Sequence, residues 1–303
     1  MHLESERLQK AGYRIIGRHS AVKVCHWTKK SLLDRGVCYK EEFYGRELGI
    51  KSHLCLQMTP ALWFCDHKCV HCWRDTRVTS SVWEGEPDDP SLILDLAIRA
   101  QRELLSGFGG NPVVNRKKFE EAKNPKHCAI SLAGEPTFYP KIAELIEECA
   151  KRGMTSFLVS NGMHPKVLEK IPSPSQLYIS VLAPNEELYR RLCSPLIQDG
   201  WNRLLQSLDV LRSFKGRTAI RITLIRGMNM DDPAAYAPLV IRAEPDFVEV
   251  KGYMWVGYSR SRLKLENMPS HADVTSFASE LSSATGYRIS GEQPASRVVL
   301  LKR

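Results

Sequence analysis

Cys65-Asp66-His67-Lys68-Cys69-Val70-His71-Cys72-Trp73-Arg74 places three thiols in one short loop, spaced C-x3-C-x2-C. Three thiolates hold three corners of a [4Fe-4S] cube, whereas full protein ligation takes four. The fourth iron is therefore left open to a small-molecule ligand, as S-adenosylmethionine (SAM) chemistry requires. Cys69-x2-Cys72 taken alone also suits half of a structural zinc site, but no second C-x2-C pair follows to complete the tetrahedron. Three reduced core cysteines are the third option. They fit poorly beside Asp66, His67, Lys68 and His71.

Around this loop the 303 residues are 43% hydrophobic, enough for a packed core, with neither internal repeats nor a low-complexity linker. The expected division is a basic N-terminal extension over 1–50 and one α/β domain over 51–303. No run of eighteen apolar residues occurs, and the charged start lacks a signal-peptide core. These features predict a soluble, cytoplasmic protein without a membrane partner, and the odd count of nine cysteines fits a reducing compartment. The net charge is +9, and the first forty residues hold nine Lys and Arg against three acids, a local balance of +6. Such a concentration is the footprint of a polyanion partner, most often nucleic acid, although a basic surface also serves solubility.

From residue 129 short β-type runs alternate with helical ones. Ala129 to Ala133, Thr155 to Ser160, Gln176 to Val181, Arg217 to Ile225 and Phe247 to Lys251 read as strands, with Leu56 to Leu62 leading into the cysteine loop. Tyr287 to Ser290 and Arg297 to Lys302 close the set. Helices are predicted at Leu92 to Leu105, Pro140 to Arg152, near Pro165 to Lys170, and at about 184–193 and 198–214. Alternating βα units imply a parallel sheet with right-handed crossovers. Several strands have a polar second face: Tyr178 and Ser180; Arg221 and Thr223; Glu249 and Lys251. A doubly covered sheet buries such faces at a cost, whereas a barrel lumen holding a charged ligand uses them, so the expected fold is a partial (β/α)6 barrel.

SAM is a zwitterion bearing a ribose and an adenine. Ala133-Gly134-Glu135-Pro136, at a strand end, offers close-approaching backbone and the Glu135 carboxylate for the amino group. Ser160-Asn161-Gly162 ends the next strand, and Ser180 faces the lumen from the one after. Singly these are ordinary βα turns; in this order behind the cysteine motif the chain resembles the radical SAM superfamily. That resemblance implies a partial (β/α)6 barrel and reductive cleavage of SAM to a 5′-deoxyadenosyl radical. His71 stands where an aromatic often precedes the last cysteine.

Cys69-Val-His-Cys-Trp-Arg74, Leu132-Ala-Gly-Glu-Pro136, Phe157-Leu-Val-Ser-Asn161, Leu177-Tyr-Ile-Ser-Val181, Asp246-Phe-Val-Glu-Val-Lys-Gly252 and the Lys251 to His271 stretch are similar to the archaeal type of the 4-demethylwyosine synthase family. The resemblance runs from about residue 20 and implies a carbon-carbon lyase that builds a tricyclic base from N1-methylguanosine at position 37 of tRNA-Phe with two carbons of pyruvate. Leu182 departs from it, standing where relatives often have Asp.

Cys25, Cys38 and Cys55 show no clear apolar period, and three further thiolates suit a second [4Fe-4S] cluster with an open iron. The resemblance matches them to the family's second-cluster cysteines, and Lys40 to a lysine that holds pyruvate. By residue type alone a lysine is more often a solvated surface charge, but an amine of lowered pKa forms Schiff bases. Cys128, Cys149 and Cys193 fall in strand or helix periodicity and read as core. Lys251, Tyr253, Arg260 and Arg262 interleave cations with aromatics after a strand, a pattern for stacking an extruded base and meeting phosphates. The same composition fits an ordinary hydrophobic loop with a basic edge. An external electron donor and a monomeric state complete the expectations. Another radical SAM RNA-modifying enzyme, an activase, and a zinc-stabilised RNA-binding protein remain as alternatives at this level.

Overall fold

The computed structural model describes residues 2–303. Contacts divide the chain into two compact units: one takes the chain up to Phe64 together with Val82–Leu158, the other Cys65–Ser81 with Val159–Arg303.

In the first unit, α1 (His2–Lys10), β1 (Tyr13–Ile16), β2 (Ser20–Lys23), α2 (His26–Leu32) and α3 (Tyr39–Leu48) precede β3 (Cys55–Thr59). After them come α4 (Pro90–Leu105), α5 (Arg116–Ala122), β4 (His127–Ile130), α6 (Ile142–Lys151) and β5 (Thr155–Ser160), whose last two residues belong to the second unit. β3, β4 and β5 are parallel, and β1 and β2 extend them antiparallel on the β3 side. The first fifty residues are thus knit into this sheet through β2, although they carry no obvious period. α4 starts at Asp89, whose carboxylate accepts from the amides of Ser91 and Leu92, with Pro90 in the first turn. Its buried stripe (Ile93, Leu94, Ala97, Leu105) shares the core with Leu56, Met58 and Ile130, each such large side chain contributing roughly 1.5–3 kcal/mol.

β4 ends three residues before the predicted Ala133. There the chain turns toward β3, with the amides of Ser131 and Leu132 both donating to the Met58 carbonyl.

The second unit contains α7 (Pro165–Leu168), β6 (Gln176–Val181), α8 (Glu186–Cys193), α9 (Gly200–Ser213), β7 (Thr218–Leu224), α10 (Ala237–Ala243), β8 (Phe247–Gly252), α11 (His271–Thr285), β9 (Arg288–Gln293) and β10 (Val298–Lys302). β6, β7 and β8 are parallel, and β10 then β9 continue antiparallel. Three parallel strands in each unit supply the six βα repeats that the alternation predicts. α11, capped by a reciprocal Ser270–Asp273 box and closed by Gly286, was not evident in the sequence pattern.

The polar second face of β6–β8 pairs with itself. Glu249 is fully buried, accepting from Tyr178 Oη (3.0 Å) through Oε1 and from Arg221 (2.9 Å) through Oε2, while the Arg221 guanidinium lies 4.7 Å above the Tyr178 ring. Such a buried pair is tolerated because its remaining hydrogen-bonding capacity is satisfied. No helix among the described residues is long and apolar enough to cross a membrane.

Candidate active site

The cysteine loop folds with the second unit, and backbone contacts hold it beside the C-terminal end of α8. Lys68 N donates to Cys193 O (3.0 Å), Val70 N to Leu192 O (2.9 Å), and Leu196 N to Asp66 O (2.7 Å). Arg262 ties the other side, donating through Nε to Val70 O (3.1 Å) and through Nη2 to Cys72 O. Tyr258 N reaches Trp73 O at 2.9 Å, and Gly257, at φ +58°, makes this approach possible because a Cβ there would lie 2.4 Å from the same oxygen. Asn161 Nδ2 points at Cys65 Sγ, 3.8 Å away.

Both imidazoles of the loop are neutral. Burial pushes His67 down to about 3, and burial with the nearby Arg262 charge pushes His71 down to about 4. Arg74 is the loop's buried cation, 5% exposed, with the Cys65, Cys72 and Cys69 thiols close to its charge. Cys65, Cys69 and Cys72 are all half-buried. Cys69, His67 and Cys193 bring one ligand atom each within 4.8 Å, and the Cys193 contact followed by burial pushes the Cys69 thiol up. Three motif thiols spread around a buried cation suit a cube better than a single ion, because a cube's ligands diverge toward separate irons and the ensemble carries negative charge.

The first unit assembles the other predicted set. Cys25 and Cys38 occupy the N-cap positions of α2 and α3, and Cys55 opens β3. They converge: burial, then the charges of Cys25 and Cys38, push the Cys55 thiol up, and Lys40 opposes them. Lys40 lies in the first turn of α3 with Nζ 4.3 Å above the Phe157 ring. Ser52 fixes this arrangement, accepting from Cys38 N at 2.7 Å while its own amide and hydroxyl donate to Glu41 Oε2 at 2.6 Å. Three half-buried thiols converging beside an ammonium fit a second open cluster.

Glu135 also lies in the first unit, 2% exposed, its Oε1 accepting from the Thr137 amide (3.1 Å) and hydroxyl (2.6 Å). Gly134 before it has φ +68°, and a Cβ there would meet Ala61 O at 1.9 Å. In the second unit Ser160 is buried and its Oγ accepts from Gly162 N (3.0 Å), Asn161 Oδ1 accepts from Met163 N (3.0 Å), and Ser180 is half-buried opposite Arg221. Leu182 is a core side chain whose carbonyl accepts from Asn229 (2.7 Å) and Tyr236 (3.1 Å).

The aromatic-basic segment after β8 divides. Tyr253 is 2% exposed with its hydroxyl 2.7 Å from Ser259 Oγ, so its ring is core and presents no face for a base. Lys251 donates to Ser296 O at 2.6 Å, and Arg262 is engaged by the cysteine loop. Arg260 alone of the four is exposed, its guanidinium 4.2 Å above the Trp255 ring. Tyr253 and Arg262 are thus occupied within the chain while Arg260 faces outward, a distinction periodicity cannot make between a loop's own tie points and its outward groups. Arg74 and the Ser52–Glu41 pair were missed. For Arg74 the available signal was its place directly behind the cysteines; for Ser52 there was none. Cys128, Cys149 and Cys193 are buried, as their periodicity predicts.

Comparison with known proteins gives this geometry its context. Residues 63–238 match the radical SAM superfamily and residues 242–303 match a wyosine base formation family. This is therefore an α/β radical SAM protein, a class that uses SAM and a [4Fe-4S] cluster. The chain is 50% identical over 99% of its length to the S-adenosyl-L-methionine-dependent tRNA 4-demethylwyosine synthase of Pyrococcus horikoshii, covering 88% of that protein. It is similar throughout to the solved structure of TYW1 with a lysine-pyruvate adduct bound (TM-score 0.90, 40% identity, 100% of this chain and 96% of that one) and to that of archaeal TYW1 (TM-score 0.82, 36% identity, 100% and 96%). The chain belongs to the SAM-dependent tRNA 4-demethylwyosine synthase family.

Proposed function

We propose that this enzyme condenses N1-methylguanosine at position 37 of tRNA-Phe with the two-carbon unit of pyruvate to give 4-demethylwyosine, with Lys40 and a second [4Fe-4S] cluster on Cys25, Cys38 and Cys55 handling pyruvate. The convergence of Lys40 with those three thiols carries this reading. Support comes from the lysine-pyruvate adduct described for a relative.

When bound on Cys65, Cys69 and Cys72, the first cluster with SAM supplies the hydrogen-abstracting radical. Glu135 accepts from the SAM ammonium, with Ser160, Asn161 and Ser180 serving its polar groups. Lys40 Nζ attacks the pyruvate ketone as the free amine and holds it as an imine with loss of water; the Phe157 ring, 4.3 Å beneath the nitrogen, fixes where the amine stands. The N1-methylene radical adds to C2 of the held imine; the C1–C2 bond then breaks and the carboxyl leaves as CO2 and one electron, which offsets the electron taken from the external donor, and guanine N2 displaces Lys40 Nζ from C2 as the ring closes. The basic segment 1–50 acts as the extension that brings Cys25 and Cys38 to Cys55 of β3, consistent with a superfamily match that begins at residue 63. Arg260 over Trp255 meets tRNA, an external one-electron donor reduces the clusters, and the chain works as a monomer.

The test is anaerobic incubation with tRNA carrying N1-methylguanosine, SAM, dithionite and labelled pyruvate, followed by mass analysis of the nucleosides. Label is expected in a tricyclic base. SAM cleavage without incorporation of label would assign the chain to another radical SAM reaction.

A further inference from the structure

Arg74 is charged at every accessible pH and 95% removed from solvent, yet its Nε and Nη1 have no hydrogen-bond partner among the described residues. A buried, half-satisfied guanidinium is among the costliest arrangements a protein can keep, and it persists where an anion completes it. No carboxylate completes this one; the ionisable groups acting on it are the side chains of Cys65, Cys72 and Cys69. Arg262, the other arginine at the loop, is spent on the carbonyls of Val70 and Cys72. Arg74 is thus the buried cation of the cysteine loop, which also holds the half-buried Lys68 and the buried Asp66 carboxylate, 3.3 Å from His164 Nε2.

A cube held by three thiolates is an anion, and reduction adds one more negative charge. A fixed cation beside it favours the reduced form, and N–H groups aimed at its sulfurs act in the same direction, since charge and hydrogen bonds to sulfur set cluster potentials. We propose that Arg74 is a positioning residue for the SAM-binding cluster, turning the N–H groups of its unpartnered Nε and Nη1 to the cluster's sulfur atoms and raising its reduction potential. This inference rests on the cluster that the family uses. It does not depend on the roles of Lys40 or the second cluster.

The experiment is an EPR-monitored redox titration of the reconstituted full-length protein without SAM, read on the component that later SAM addition perturbs. At the wild-type midpoint, Arg74→Gln is expected to hold at least tenfold less reduced than oxidised cluster, a shift of ~59 mV or more for one electron. Arg74→Lys keeps the charge but not the planar fork and should fall between. A cluster-loaded Gln variant at the wild-type midpoint overturns the proposal, and weakened SAM binding in that variant would give the guanidinium to the SAM carboxylate instead. Should the Gln variant take up no iron, the Lys variant decides. Restored iron with a lowered midpoint supports the proposal; a wild-type midpoint or equally lost iron overturns it. Wild-type protein with no SAM-sensitive signal would sink the cluster assignment itself, a separate failure.

Discussion

Lys40 stands in the first turn of α3, two residues after Cys38, so the peptide that places one thiol also places the amine. Borohydride added with pyruvate should leave a stable adduct on Lys40, detectable by peptide mass. Lys40→Ala should bind tRNA normally yet form no tricyclic base; near-normal turnover in that variant would leave pyruvate to the second cluster alone. Glu135 is buried with two donors from Thr137 on one oxygen. Glu135→Gln should raise the SAM dissociation constant at least tenfold, about 1.4 kcal/mol, while tRNA affinity is unchanged. Equal losses for both ligands would point to misfolding. His127 supports the loop next to Ser52: its Nε2 accepts from Lys51 N (3.1 Å), so Nδ1 carries the proton toward Thr155 Oγ1 (2.8 Å). Burial lowers it from 6.5 to about 4. The unfolded chain therefore binds this proton first, and the stability contribution is complete above pH 6.5 and lost as pH falls toward 4. Urea titrations should show that slope, and His127→Asn should flatten it.

At the scale of elements, strand ends and helix starts do the positioning. Gly134 lets the turn after β4 press against the Ala61 and Phe64 carbonyls, at 1.9 and 2.8 Å from where a Cβ would sit. Neither backbone oxygen is free to move, so Gly134→Ala should cost about 2–4 kcal/mol, read by denaturant unfolding, and take SAM binding with it. The segment after β8 separates into an inner and an outer arginine. Arg260→Ala should weaken tRNA binding and lower its salt slope by about one, because an exposed cation stacked on Trp255 neutralises a phosphate. Arg262→Ala should instead lower iron content with little change in that slope, since its partners are Val70 O and Cys72 O. The reverse pattern would exchange the two roles.

For the whole molecule, each compact unit carries one set of three cysteines. Replacing Cys25, Cys38 and Cys55 together should remove about half the iron and spare abortive SAM cleavage, whereas replacing Cys65, Cys69 and Cys72 should remove the other half and abolish cleavage. Unchanged iron in the first triple variant would rule out a second cluster. The open cluster, the βα order and the strand-end SAM candidates were legible in the chain alone, because ligand spacing, period-two alternation and Gly turns are local properties. β5 and β6 have the predicted bounds for the same reason. The basic first fifty residues disclosed neither β1 and β2 nor their pairing with β3, since four-residue strands supply too few alternations to register a period. Only tertiary structure separated Arg260 from Arg262, took Tyr253 into the core, and left Arg74 buried among thiols. Two arginines two residues apart are alike in sequence, and what each one does is decided by which distant carbonyl, ring or sulfur the fold brings within its reach.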